Sequence, residues 1–283
     1  MVKLLVTGAA GYLGRAVAER GAADGWEVVG THHRHAPSGV RSFALDVRDA
    51  GAVAALVLAE APAAVIHTAY RQHGEAARAV NVDGAAHVAA AAHAAGARLV
   101  HVSSDAIFAG VAGRPLREED PPDPVTPYGA TKADAEPAVL AAHPGAVLAR
   151  TSLIYGGPGV EPSPHEELAL AAARGEREVA FFTDEVRSPV QVGDLATALV
   201  ELAGMTTDAG PLHVGGADPV SRLEFARLIV AARGDDQHRI ALVGGPAPPG
   251  RPRHCPLDSS RAQRLLHVRL RGVREVLQPR SPG

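Results

Sequence analysis

The chain has 283 residues, 46% of them hydrophobic and 21% charged, and a formal net charge of −3. That balance suits a folded globular protein and excludes a disordered or fibrous one. The slight acidity and the lack of a dense Lys/Arg block argue against a nucleic-acid partner. Cys255, the single cysteine, excludes an internal disulfide framework. No apolar run approaches the roughly 18 residues of a membrane span. The short apolar stretch behind Lys3 is broken by glycines and does not read as a secretion signal, so a cytoplasmic protein is expected.

Short apolar runs alternate with alanine-rich stretches of helical period through the first half. The order is strand 2–7, helix 12–23, strand 27–30, strand 42–44, helix 50–59, strand 64–67, helix 76–95, strand 99–103, helix 128–142 and strand 146–150. Strands returning through helices predict an α/β fold with a doubly wound parallel sheet, the Rossmann arrangement. After Tyr155 the run GGPGVEPSP marks a boundary. Beyond it come helix 165–174, strand 179–182, helix 193–203, strand 212–214 returning to the main sheet, and helix 221–232. A flexible stretch GGPAPPGRPR and two short helices from Ser259 follow. The expected division is a dinucleotide-binding part, 1–155 with 186–214, and a smaller interleaved substrate lobe, 156–185 with 215–283.

The first strand runs into GAAGYLG. Gly8 stands where the chain turns sharply, Gly11 where the backbone approaches a pyrophosphate, and Gly14 where the helix packs on the sheet, with Tyr12 and Leu13 opening that helix. Its N-terminal amides then face the phosphates. The second strand ends in GTHHRH and lacks the acid that would hold a ribose 2′-hydroxyl. Thr31, His33 and Arg34 instead offer donors and positive charge for a 2′-phosphate, so NADP(H) is favoured and NAD(H) left open. Asp46, with Val47 beside it, is a candidate for the adenine amino group. The clustered histidines 32, 33 and 35 lack an accompanying carboxylate or thiol and read as solvated loop residues.

Tyr128 and Lys132 in YGATK lie four apart and so share a helix face. Reduction of a ketone needs a proton donor at oxygen. A phenol whose pKa is lowered by a neighbouring ammonium suits that role in both directions. The strand LVHVSSD ends in Ser103 and Ser104 at the carboxyl edge, and Ser104 is the expected donor to the substrate oxygen.

These motifs resemble the extended short-chain dehydrogenase/reductases, and within them the dTDP-4-dehydrorhamnose reductase family. The resemblance is carried by GAAGYLG at 8–14, HTAY at 67–70, NVDG at 81–84, VSSDAIFAG at 102–110 and YGATK at 128–132. It continues through ARTSLIYG at 149–156, RSPVQVGDLA at 187–196 and RPRHCPLDSSR at 251–261. It implies NADPH-dependent reduction of a nucleotide-linked 4-keto sugar, with Ser104, Tyr128 and Lys132 as the triad. It further implies Thr68, Ala69 and Tyr70 on the nicotinamide side, and Asn81 at the cofactor supporting the active-site helix. Asp105, Ser152 and Tyr155 would border the substrate, and Arg187 and Arg253 its diphosphate. Where typical members read STDYVF this chain reads SSDAIF, so Ala106 should reshape the pocket. Arg15 occupies a position where some members carry a metal-binding glutamate, and no metal is expected. A homodimer is compatible with the resemblance. A sugar-nucleotide epimerase or dehydratase, or a non-catalytic NADP-binding subunit, remain the alternatives.

Overall fold

In a computed structural model, seven strands pair side by side, all parallel, in the order Gly210–His213, Val147–Thr151, Arg98–Ser104, Ala64–His67, Lys3–Thr7, Glu27–His32 and Arg41–Ala44. The structure describes residues 2–110, 113–206, 209–233 and 241–278. The elements of the first half are β1 (Lys3–Thr7), α1 (Tyr12–Ala23), β2 (Glu27–His32), β3 (Arg41–Ala44), α2 (Ala50–Glu60), β4 (Ala64–His67), α3 (Gly84–Ala94), β5 (Arg98–Ser104), α4 (Pro127–Ala142) and β6 (Val147–Thr151). The doubly wound sheet expected from the alternation is present. Its strands are near-continuous apolar runs because both faces are covered.

On one face α1 and α6 (Val192–Gly204) pack over Leu4, Val6, Ile66 and Val100. On the other, α2, α3 and α4 cover Leu5, Val65, Leu99 and Leu148. The expected helix 76–95 is interrupted by a π turn at Ala79–Asp83 before α3 begins. That wide turn contains Asn81, consistent with the tendency of π turns to mark functional positions.

Beyond β6 the elements shorten: β7 (Ile154–Tyr155), α5 (Pro164–Ala173), β8 (Ala180–Phe182), β9 (Val186–Arg187) and β10 (Val190–Gln191), then α6 and β11 (Gly210–His213). β11 joins β6 at the sheet edge, as the sequence suggested. β12 (Val220–Ser221), α7 (Arg222–Arg233), β13 (Val243–Gly245), α8 (Ser260–Leu265) and α9 (Val273–Val276) complete the described chain. A separate apolar cluster, with Tyr155, Phe181, Phe225, Ile229 and Leu277, joins α5, α7 and α9. Residues 244–253, expected to be flexible, are anchored: β13 pairs with β8, and the Arg253 amide donates to the Ala109 carbonyl at 2.8 Å.

Glu166, fully buried, accepts hydrogen bonds from the backbone amides of Gly156, Gly157 and Ser163 and pairs with Arg233 at 2.7 Å. The 156–163 loop it gathers reaches α1, where the Tyr12 hydroxyl donates to the Glu161 carbonyl at 2.9 Å and Arg15 pairs with the Glu161 carboxylate. Among the described residues no helix is long and apolar enough to cross a membrane.

Candidate active site

The carboxyl ends of β1, β2, β4 and β5 open on a cleft of about 1250 Å3. It lies where the strand order reverses between β1 and β4, the place at which open α/β sheets bind ligands. Gly8 takes φ +72°, and a Cβ there would press on the Ala69 backbone at 2.9 Å. A Cβ at position 14 would run into the Gly8 carbonyl, so α1 starts as close to the turn as a chain allows. No acidic side chain sits in the first turn of α1, which leaves its amides and dipole for an anion.

Gly8, Gly11, Tyr12, Leu13, Gly14, Thr31, His33, Arg34, Asp46, Val47, Thr68, Ala69 and Tyr70 all line this cleft. Thr31 differs from expectation in role. Its buried hydroxyl accepts from the Gly8 amide at 3.3 Å and its carbonyl from Ala9 at 2.8 Å, so it braces the glycine turn. The exposed tip is carried by His33 and Arg34, joined by His35 and Arg48. Arg48 chelates the Asp46 carboxylate and holds its pKa down to about 2. The sequence pointed to Asp46 but not to the guanidinium that takes up both its oxygens.

Ser104, Tyr128 and Lys132 converge on the same wall. Ser104 ends β5 and caps the short turn after it, accepting from the Ala106 amide at 3.1 Å. α4 begins at Pro127 behind Thr126, whose hydroxyl accepts from the Gly129 amide at 3.0 Å. Gly129 admits a close approach: a Cβ there would strike the Ala106 carbonyl. The glycine of YGATK thus lets α4 lie on the turn after Ser104, which brings the phenol of Tyr128 to the serine.

The Tyr128 phenol is pushed well above its ordinary pKa by burial, and further by Tyr70 and Asp105; a side-chain hydrogen bond with Ser104 opposes the shift. The Tyr70 ring lies 6.0 Å from that of Tyr128. Lys132, 3% exposed, donates to the Val102 carbonyl at 2.7 Å. Desolvation lowers its pKa to about 8, with Glu136 working the other way. The net shift of the phenol is therefore upward, opposite to the lowering expected from Lys132.

Ser103, the alternative serine, is committed elsewhere. It donates to Glu136 at 2.6 Å, and Glu136 forms a buried bidentate pair with Arg150, at 2.9 and 2.7 Å. Asn81 does not line the cleft. Its carboxamide grips the backbone of Arg71 at 2.7 and 2.8 Å and donates to Thr131 of α4 at 2.9 Å, which positions the loop after Tyr70 against the helix.

Asp105, Ser152 and Arg187 line the far end of the cleft, where Ser152 donates to Asp105 at 2.6 Å and Arg187 pairs with Asp105 at 3.1 Å. Burial works against the Arg187 charge, but Asp105 and its other neighbours more than offset it. Tyr155 and Arg253, expected at the substrate, are placed elsewhere. Tyr155 is fully buried against Phe225 in the apolar cluster that joins α5, α7 and α9, and Arg253 pairs with Asp184 outside the cleft. Beside Arg187 and Asp105 the cleft is also lined by two cations that the sequence did not single out, Arg251, paired with Glu185 at 2.9 Å, and Arg222. Nη1 of Arg222 has no hydrogen-bond partner, and its Nη2 lies 3.5 Å from His165, an imidazole kept neutral by burial with a pKa of about 3.

The profile of the RmlD substrate binding domain family matches residues 2–280. The chain belongs to that family. The dTDP-4-dehydrorhamnose reductase of Mycolicibacterium smegmatis is 34% identical to it, covering 98% of this chain and 84% of its own. The methionine adenosyltransferase 2 subunit beta of Bos taurus is 31% identical, covering 93% and 82%. A dTDP-4-dehydrorhamnose reductase structure from Clostridium acetobutylicum superposes with a TM-score of 0.82 at 26% identity, covering 98% of this chain and 97% of that one.

Proposed function

We propose that the protein reduces the keto group of a nucleoside-diphosphate-linked 4-keto-6-deoxy sugar, with NADPH as reductant and Tyr128 as proton donor. The observation that carries this reading is the convergence of Ser104, Tyr128 and Lys132 on one wall of a cleft that the glycine turn also lines. It is an NAD(P)-dependent oxidoreductase, and NADP(H) is its cofactor. The residues suit that group: the Gly8 and Gly14 positions form a cradle that Cβ atoms would fill, and His33 and Arg34, just past the end of an acid-free strand, would hold a 2′-phosphate. Bound there, the reduced nicotinamide supplies hydride.

The chain's own part follows from its protonation states. The Tyr128 phenol keeps its proton throughout the neutral range and donates it to the ketone oxygen. The Ser104 hydroxyl donates a hydrogen bond to the same oxygen as charge develops there. At the far end, three guanidiniums (Arg187, Arg222, Arg251) face two carboxylates (Asp105, Glu185), which leaves one positive charge in surplus for the diphosphate. Ala106, on the lining beside Tyr128, leaves room for a sugar shaped differently from those met by a tyrosine at that position.

The kinship with a methionine adenosyltransferase subunit favours a second reading, a cofactor-binding regulatory subunit. NADPH oxidation followed against dTDP-, UDP- and GDP-linked 4-ketohexoses separates the two. Tyr128→Phe should lower turnover by roughly 10²–10⁴-fold with NADPH affinity retained. No turnover on any sugar by the parent chain, or full turnover by the variant, overturns the reductase reading.

A further inference from the structure

Beneath Lys132 lies a polar file across the sheet that the proposed reaction leaves unused. Thr7, His67 and His101 occupy matched positions on β1, β4 and β5. They share a face with Leu5, Val65 and Leu99, so one polar row borders an otherwise apolar layer. His67 and His101 are 2% and 1% exposed, and their rings stack at 5.2 Å with 27° between planes. His67 Nδ1 meets the Thr7 hydroxyl at 2.6 Å, and His101 Nε2 meets Lys132 Nζ at 3.4 Å. The remaining ring nitrogens, His67 Nε2 and His101 Nδ1, are buried without partners. A buried polar side chain with half its capacity idle asks for a reason beyond packing.

The groups around Lys132 supply that reason. Tyr128 and Glu136 share α4 with it, His101 faces it from β5, and His67 stands behind His101 on β4. An ammonium has three donors and no acceptor. One N–H goes to the Val102 carbonyl, and His101 Nε2 is the acceptor for a second. The third is thereby left for the cleft. An imidazole takes this part only when neutral with its proton on Nδ1.

We propose that His101, backed by His67, is a positioning residue for Lys132: its Nε2 lone pair takes up one ammonium proton, which aims the remaining N–H at the nicotinamide ribose and stabilises the charged form of the lysine. Burial and the Lys132 charge hold both histidines neutral: the pKa of His67 falls to about 3, and that of His101 well below its ordinary value. Taking away the acceptor destabilises the ammonium, and Lys132 then loses its proton at lower pH.

Naming the nicotinamide ribose as the partner of the third N–H rests on the NADP(H) reading above, and two readouts keep the questions apart. In the unaltered chain, 15N-histidine NMR, with His101 assigned by comparison with His101→Gln, should show a neutral ring protonated on Nδ1 from pH 6 to 8. An Nε2-protonated or cationic ring overturns the proposal whatever the protein reduces, and this readout still decides if His101→Phe fails to fold. NADPH affinity, read by cofactor fluorescence, should weaken above about pH 8 in the parent. That limb should move down by about one pH unit in His101→Phe and stay near the parent value in His101→Gln, which keeps an acceptor. Coincident limbs for His101→Phe and the parent would overturn the proposal. Absence of NADPH binding at every pH would instead overturn the cofactor reading.

Discussion

Glu136→Gln tests how the helix bearing Tyr128 and Lys132 is registered on the sheet. Glu136 and Arg150 are 4% and 3% exposed, and each carboxylate oxygen receives a guanidinium N–H, with Ser103 donating to one of them as well. The amide keeps the shape but turns an NH2 toward Arg150 and leaves that guanidinium buried without its counter-charge. Breaking a buried pair in this way costs about 3–5 kcal/mol, against a total stability on the order of 5–15. Urea unfolding should show the midpoint falling by about a fifth or more with the slope unchanged. Glu136→Leu combined with Arg150→Met should recover most of the loss, because two apolar side chains carry no desolvation penalty. Glu136 is also the neighbour that opposes desolvation at Lys132, so its loss lowers the lysine's pKa below about 8 and moves the alkaline limit of NADPH affinity the same way. A single variant within about 1 kcal/mol of the parent, or a double variant no more stable than the single, would refute the argument.

Arg34→Ala should weaken NADPH binding by about tenfold or more and leave NADH nearly unchanged, because a charge-assisted contact to phosphate is lost; equal effects on the two cofactors by fluorescence titration would count against the 2′-phosphate assignment. Arg222→Leu should raise the Kd for dTDP by about tenfold in calorimetry, and an unchanged Kd would remove that guanidinium from the diphosphate site. Acidification should destabilise the fold through the buried histidines. The unfolded chain takes protons below pH 6.5, whereas native His67 takes one only near pH 3, so stability is lost as pH falls through that interval. For His67 alone the loss from pH 6.5 to 5 is about 1.6 kcal/mol, and a urea midpoint unchanged between those pH values would contradict its burial as a neutral ring.

The sheet was legible in the sequence because its strands are short apolar runs bounded by turn residues, and 64–67 was read to the residue. The glycine turn and YGATK were legible because Gly8, Gly14 and Gly129 each answer a backbone constraint that a larger residue does not meet. What escaped notice has a physical reason in each case. The ladders of β7, β9, β10, β12 and β13 are two or three residues long, too short to carry a period. Tyr155 was placed by its motif, but adjacent residues on a strand face opposite ways: Ile154 lines the cleft and Tyr155 turns into the lobe's core. Arg222 and Arg251 lie far from the glycine turn in sequence, and only the folded chain brings them to Glu185 and His165. The histidine file is likewise a property of strand register, which joins positions 7, 67 and 101 across three strands.

The reach of Glu161 to Tyr12 and Arg15 has a mechanical consequence. The loop gathered around Glu166 is fastened to the same helix whose first turn lines the cleft. Any gape of the cleft that parts this loop from α1 has to break both tethers first. The loop around Glu166 and the helix that follows the glycine turn are therefore bound to move together.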